Sequence, residues 1–160
     1  MNDDESVQPA LELAVAYINR RERTEQELRL ELERKGIADR PAQACLEILT
    51  QDGYLDDERF ALMFVHDKRE LEGWGNERIE RRLVERGIDR DLIRSALVRD
   101  ESERAGGQTE LDRALAVLRR RFPSPPRERR DRDRALGVLI RKGFESDLAV
   151  DALAAYASAD

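Results

Sequence analysis

The chain has 160 residues, enough for one ordinary domain or a few very small modules, which excludes most multi-domain enzymes. Charged residues make up 40% of it and aromatics 5%, with a mean hydropathy of -0.72, so any apolar core is thin; 40% apolar residues and interspersed charge signs still exclude a disordered chain. A formal charge of -6 excludes a uniformly basic nucleic-acid coat, and a single Cys45 with a single His66 leaves no internal disulfide and no zinc cluster.

In chain order, residues 1–9 read as a flexible N-terminus, followed by an apolar stripe at Leu11, Ala14, Val15 and Ile18 that predicts a first helix. Thr24 with Glu27 reads as a capping box opening a second helix. The run LERKGI (32 to 37) ends it. Gly36 takes the left-handed conformation that glycine tolerates without steric penalty, Ile37 folds back on Leu32, and the basic Arg34 and Lys35 complement the negative end of the helix dipole. Asp39 is a cap for a third helix, Pro41 fits its first turn, and Cys45 and Leu46 face its core. That helix stops at Gly53, where Leu49 and Tyr54 repeat the fold-back spacing. These helices form a first unit, residues 10–52.

The same order recurs twice. LVERGI (83 to 88) and LIRKGF (139 to 144) place Gly87 and Gly143 51 and 56 residues on, with the pairs Leu83 and Ile88, Leu139 and Phe144. Small residues lie nine positions past each glycine (Cys45, Ala96, Ala152) and leucines ten past (Leu46, Leu97, Leu153). In the second unit, residues 53–101, Asp56 or Asp57 caps a helix, Tyr54, Leu55 and Phe60 bury the joint, and Phe60, Ala61, Phe64, Val65 and Leu71 form its stripe. Asp89 caps the helix after Gly87. A glycine-bearing joint, residues 102–108, leads to the third unit, residues 109–157. There Leu111, Ala114, Leu115, Leu118 and Phe122 form a stripe, PSPP (123 to 126) forces an extended break, and Ser146 caps the last helix. No strand pattern appears. The expected fold is all-α, three tandem three-helix repeats in an elongated, curved molecule.

Candidate chemistry is sparse. Asp56, Asp57 and Glu58 cluster at a glycine turn, but a helix start explains acids there without a catalytic role. His66 has no nucleophile or ligand motif around it, and Cys45 reads as core filler. Trp74, between Gly73 and Gly75, suits either a base-stacking platform or packing over a helix start. No catalytic residue, metal or cofactor is expected. The better lead is arginine, 26 of the 29 basic residues. Arg78, Arg82 and Arg86 fall at i, i+4 and i+8 with Arg81 beside them, a like-charged column that local helix stability does not explain. Arg119, Arg120, Arg121, Arg130 and Arg134 belong to a stretch, 119 to 134, with eight arginines against three acids. Both faces are candidate contacts for phosphates or an acidic protein surface; neutralisation by neighbouring acids is the alternative. The residues expected to act structurally are Gly36, Gly53, Tyr54, Leu55, Asp56, Phe60, Gly87 and Gly143.

GYLDDERFA (53 to 61), placed between one such repeat and GWGNERIERRLVERGID (73 to 89), resembles the RecX family, regulators of the RecA recombinase; AVAYINRRERTEQELRLELERKGI (14 to 37) agrees in order. The resemblance implies a non-enzymatic protein of helical repeats that binds RecA, lies along the groove of the RecA filament on DNA and restrains its recombinase and co-protease activities. It covers most of the chain; PSPP and RERRDRDR (127 to 134) depart from the usual pattern. With no apolar run near the roughly 20 residues of a membrane span and no signal peptide in MNDDESVQ, a cytoplasmic monomer without membrane contact is expected. The alternative is a helical regulator that binds DNA directly, as short helices joined by a tight turn can imitate a helix-turn-helix.

Overall fold

The computed structural model describes the backbone of residues 3–103 and 107–159, with side chains from Val7 onward, and everything described is helix, turn or loop. Nine α-helices occur among these residues: α1 (Asp3–Ile18), α2 (Glu25–Arg34), α3 (Asp39–Gln51), α4 (Asp57–Asp67), α5 (Asn76–Glu85), α6 (Arg90–Glu103), α7 (Glu110–Arg121), α8 (Arg129–Lys142) and α9 (Ser146–Ala157). α1 takes in residues 3–9, the stretch expected to be flexible. Extending a helix already nucleated by a buried stripe costs little per residue, and Pro9 removes one amide without ending it. Of the joint 102–108, residues 104–106 lie outside the described residues; Gly107 has φ +57.

The helix ends follow from local chemistry. Gly36, Gly53, Gly87 and Gly143 have φ of +81, +81, +83 and +100. After each, the next amide reaches back to the expected leucine carbonyl: Ile37 N to Leu32 O at 2.9 Å, Tyr54 N to Leu49 O at 2.9 Å, Ile88 N to Leu83 O at 3.0 Å and Phe144 N to Leu139 O at 3.0 Å. Asp56 Oδ1 accepts from Arg59 N at 3.0 Å and caps α4, and Asp89 Oδ1 accepts from Asp91 N at 2.8 Å at the start of α6. At α3 and α9 the cap position falls one residue earlier than expected. Ala38 and Glu145 hold the extended conformation there, and neither makes a side-chain cap bond, so Asp39 and Ser146 are already helical. α7 carries a complete capping box between Thr109 and Asp112 that its apolar stripe did not advertise.

The chain forms two compact units, Met1–Ala61 with Leu83–Leu92, and Leu62–Arg82 with Ile93–Asp160. The middle set of helices, α4 to α6, is therefore divided between them. In the first unit α1, α2 and α3 close on Ala14, Leu28, Leu32, Cys45, Leu46 and Leu49, with Leu55 at 2% exposure sealing one end. In the second, α7, α8 and α9 close on Ala114, Leu118, Phe122, Leu139, Phe144 and Tyr156. The Tyr156 hydroxyl donates to Phe122 O, which holds the extended residue before the proline break. Alanine supplies many of the contacts. Each buried leucine contributes about 1.5–3 kcal/mol, so these small cores hold their units by a modest margin.

Two stripe positions and one joint residue do not join a core. Val15 is 44% exposed, Leu71 77% and Tyr54 67%. Leu71 lies in a π-helical turn, Lys68–Glu72, that continues α4 and shifts the helical phase, so the buried position passes to Arg69. Tyr54 makes its fold-back bond through the backbone, which leaves the ring outside; Leu55 and Phe60 alone bury the joint.

Candidate interface and the junctions beneath it

Within the first unit, the start of α2 meets the last turn of α5. Thr24 Oγ1 accepts from Glu27 N at 3.2 Å and lies 2.7 Å from Arg86 O, to which it donates. The Glu27 carboxylate, expected to close a capping box, instead takes the Arg86 guanidinium at 2.8 Å (Nε) and 3.2 Å (Nη2). That guanidinium also lies 4.5 Å from the centre of the Phe60 ring. Asp57 Oδ1 accepts from Glu25 N at 2.9 Å; burial pushes this carboxyl above the usual aspartate range, and the Glu25 amide pulls the other way. A Cβ on Gly87 would stand 2.3 Å from Gln26 Cβ, so the glycine serves both the turn and the approach.

A second junction lies within the other unit, where the start of α5 meets the last turn of α8. Gly75 N donates to Lys142 O at 2.8 Å and Glu77 N to Gly143 O at 3.0 Å. Arg78 donates to Arg141 O at 3.2 Å and stacks 4.0 Å from the centre of the Trp74 ring. Lys68 lies 4.7 Å from the same ring centre, and Trp74 is 8% exposed, so the tryptophan packs over the helix start. At the second junction the amides left unpaired at the start of α5 satisfy carbonyls left unpaired at the end of α8, at the first the Thr24 hydroxyl does this for Arg86 O, and in both opposite dipole ends meet.

The arginine column on α5 therefore divides by role. Arg78 and Arg86 are half-buried and hold the two junctions, and Arg82 is engaged with a neighbour as well. Arg81 is exposed. So are Arg119, Arg120 and Arg121 at the end of α7 and Arg130 and Arg134 at the start of α8; the Arg134 guanidinium lies 5.4 Å from the centre of the Phe122 ring. Between α7 and α8 an open hollow of about 580 Å³ is lined by Phe122, the PSPP segment, Arg127, Glu128, Asp131 and Arg134. The structural set expected from sequence is in place except for the Tyr54 ring.

The buried charges were not expected. Arg69 is 5% exposed and donates to Asp100 Oδ2 at 2.9 Å, Leu97 O at 3.1 Å and Asn76 Oδ1 at 2.8 Å, tying the π turn to α6 and α5. Burial pulls its guanidinium below the usual range, opposed by the Asp100 carboxylate. His66 Nδ1 lies 2.9 Å from Asp100 Oδ1. Arg113, 6% exposed, bonds Glu110 Oε1 at 3.1 Å and Gln108 O at 2.6 Å. The available signal for Arg69 was its place four residues after Val65 on the α4 stripe. Cys45 is fully buried and its thiol is pushed up by burial. Among the described residues no three His, Cys, Asp or Glu stand where they could hold a metal ion, and no helix is long and apolar enough to cross a membrane.

The fold thus defines a class: an all-helical repeat protein in which capped helices dock end on end and arginine supplies most of the basic charge. Two family models identify it further, RecX first three-helix domain over residues 10–49 and RecX second three-helix domain over residues 56–97. Over 141 residues, 88% of this chain and 83% of the relative, the sequence is 34% identical to the regulatory protein RecX of Xanthomonas campestris pv. campestris (strain B100). It is 32% identical over 149 residues to the regulatory protein RecX of Mycolicibacterium vanbaalenii, covering 89% of this chain and 79% of that one. The crystal structure of RecX from Lactobacillus salivarius has the same fold, with a TM-score of 0.79 over 96% of this chain and 97% of that one at 17% identity. The chain belongs to the RecX family.

Proposed function

We infer that the protein binds filaments of the RecA recombinase on DNA and restrains their ATPase, strand-exchange and co-protease activities, and through them recombination, DNA repair and the SOS response. Its membership in the RecX family, across both matched three-helix domains, carries this reading. The protein acts without catalysis of its own, as a cytoplasmic monomer. Exposed arginines at Arg81, Arg119, Arg120, Arg121 and Arg130 supply contacts to phosphates or acidic protein surface, where a planar guanidinium gives bidentate recognition. Restraint follows when one molecule bridges neighbouring filament subunits and holds them against the movements of their ATPase cycle. Direct DNA contact is weak and local, since the net charge of -6 repels the backbone everywhere but at these patches.

The test is a titration into RecA on single-stranded DNA, with ATP hydrolysis and strand exchange read together. The reading predicts that both fall with added protein, and that reversing charge at Arg119, Arg120, Arg121 and Arg130 raises the concentration required. ATP hydrolysis and strand exchange unchanged at saturating protein would end it.

A further inference from the structure

The glycine turn that ends α2 is an open copy of two turns that are filled. At Gly87 and Gly143, a Cβ would meet the Cβ of Gln26 at 2.3 Å or of Arg78 at 2.2 Å, because another helix start is seated there. Gly36 has the same conformation, φ +81, and the same closing bonds, Gly36 N to Glu33 O at 2.9 Å and Ile37 N to Leu32 O at 2.9 Å. Yet nothing lies within 4 Å of where its Cβ would stand. Glu33, Arg34, Lys35 and Gly36 are all exposed.

The filled turns also agree in what they receive. In each, the residue twelve positions before its own repeat's glycine donates to the carbonyl one position before the receiving glycine: Thr24 Oγ1 to Arg86 O at 2.7 Å, and Gly75 N to Lys142 O at 2.8 Å. The receiving residue is basic in both, and at the first junction Arg86 also grips the Glu27 carboxylate. The equivalent residue at the open turn is Lys35, with the equivalent carbonyl Lys35 O. A helix start brings unpaired amides and a positive dipole end, the complement of an exposed helix end. A second copy of this chain is a poor occupant. Its α8 start carries Arg127, Arg129 and Arg130, which would face Arg34 and Lys35, and its α7 start, Thr109 with Asp112, closes its capping box on itself, the Asp112 carboxylate accepting from Thr109 N at 3.0 Å.

We propose that the Lys35–Gly36 turn is a docking site for the first turn of a helix on a partner protein, a helix opened by Ser or Thr with Glu or Asp three residues later. The hydroxyl takes the Lys35 carbonyl, the carboxylate takes the Lys35 ammonium, and the bare glycine lets the two backbones approach. This inference stands apart from the recombinase reading, because it defines its partner by chemistry alone.

The probe is a synthetic peptide of residues 21–36, RERTEQELRLELERKG, whose start fills the Gly87 turn in the folded chain. Titrated into the isotope-labelled full chain, it should shift the amide resonances of Lys35, Gly36 and Ile37 saturably and leave those of Gly87 and Ile88 in place. Lys35→Glu in the chain, or Thr24→Ala with Glu27→Gln in the peptide, should weaken binding about tenfold, the loss of one charge-assisted contact. No saturable shift at Lys35 to Ile37, or a response that Lys35→Glu leaves unchanged, overturns the proposal. No recombinase enters this assay, so its failure leaves the filament reading standing, and failure of the filament assay leaves this one standing.

Discussion

Alanine at Gly143 and alanine at Gly36 should have unequal costs, although both residues end a helix in the same way. Both have left-handed backbone, φ +100 and φ +81, and a side chain there costs about 1–2 kcal/mol through its clash with the following carbonyl. At Gly36 that is all, because the space around the new methyl is empty. At Gly143 the methyl would stand 2.2 Å from Arg78 Cβ and 2.7 Å from Arg78 N, distances at which backbone must move. Displacing the start of α5 adds about 1–3 kcal/mol of overpacking, which brings the loss at Gly143→Ala to about 2–5 kcal/mol. The loss also includes the bonds from Gly75 N and Glu77 N that converge on this turn. Urea unfolding of the full chain followed by circular dichroism gives both values, and amide exchange locates the damage. Gly143→Ala should accelerate exchange at Gly75 and Glu77, while Gly36→Ala should not. Equal losses at the two glycines would refute the docking of α5 on α8.

Three further outcomes follow from the buried groups. Arg69→Met leaves Asp100 buried without its main partner and should cost about 3–5 kcal/mol in urea unfolding, whereas Arg69→Met with Asp100→Leu should cost far less; equal losses would show that the pair is not the cause. Asp57 has its carboxyl raised by burial, so the folded chain holds that proton more tightly than the unfolded chain. Its contribution is therefore greatest at low pH and is lost as pH rises from the ordinary aspartate value through the raised folded one; Asp57→Asn, which keeps an acceptor for Glu25 N, should flatten urea midpoints across that window. Cys45, fully buried with its thiol pushed up, should react with a thiol reagent only as fast as the chain opens, so rapid modification of the folded protein would contradict its place in the core.

What was legible in the sequence was what a few consecutive residues decide. The pairs Leu32 with Ile37, Leu83 with Ile88 and Leu139 with Phe144 lie within six residues of one another, and a left-handed glycine leaves the chain one way to turn. The third-unit stripe ending at Phe122 was equally local. The fate of Glu27 and Arg86 was not, because 59 residues separate partners that meet only once the helices dock. Without that contact Glu27 looks like half of a capping box and Arg86 like one of a column of free charges. Leu71 was misplaced because a π turn changes the phase of α4 without a proline or glycine to announce it until Gly73. The buried Arg69 violates the ordinary preference of charge for water and is explicable only through Asp100, Asn76 and Leu97, all brought to it by folding. Of the candidate interface, the sequence could rank arginines by density; exposure then separates Arg81, Arg82, Arg119, Arg120, Arg121, Arg130 and Arg134 from Arg78 and Arg86, which hold the two junctions.

Co-sedimentation with assembled RecA filaments, run beside DNA alone and free RecA, tests the central functional claim most directly. Retention on filaments well above retention on DNA, saturating with filament and weakened by reversing charge at the exposed arginines, is the result expected. Retention on naked DNA equal to that on filaments would make the protein a DNA binder, and no retention on either would separate it from the recombinase altogether.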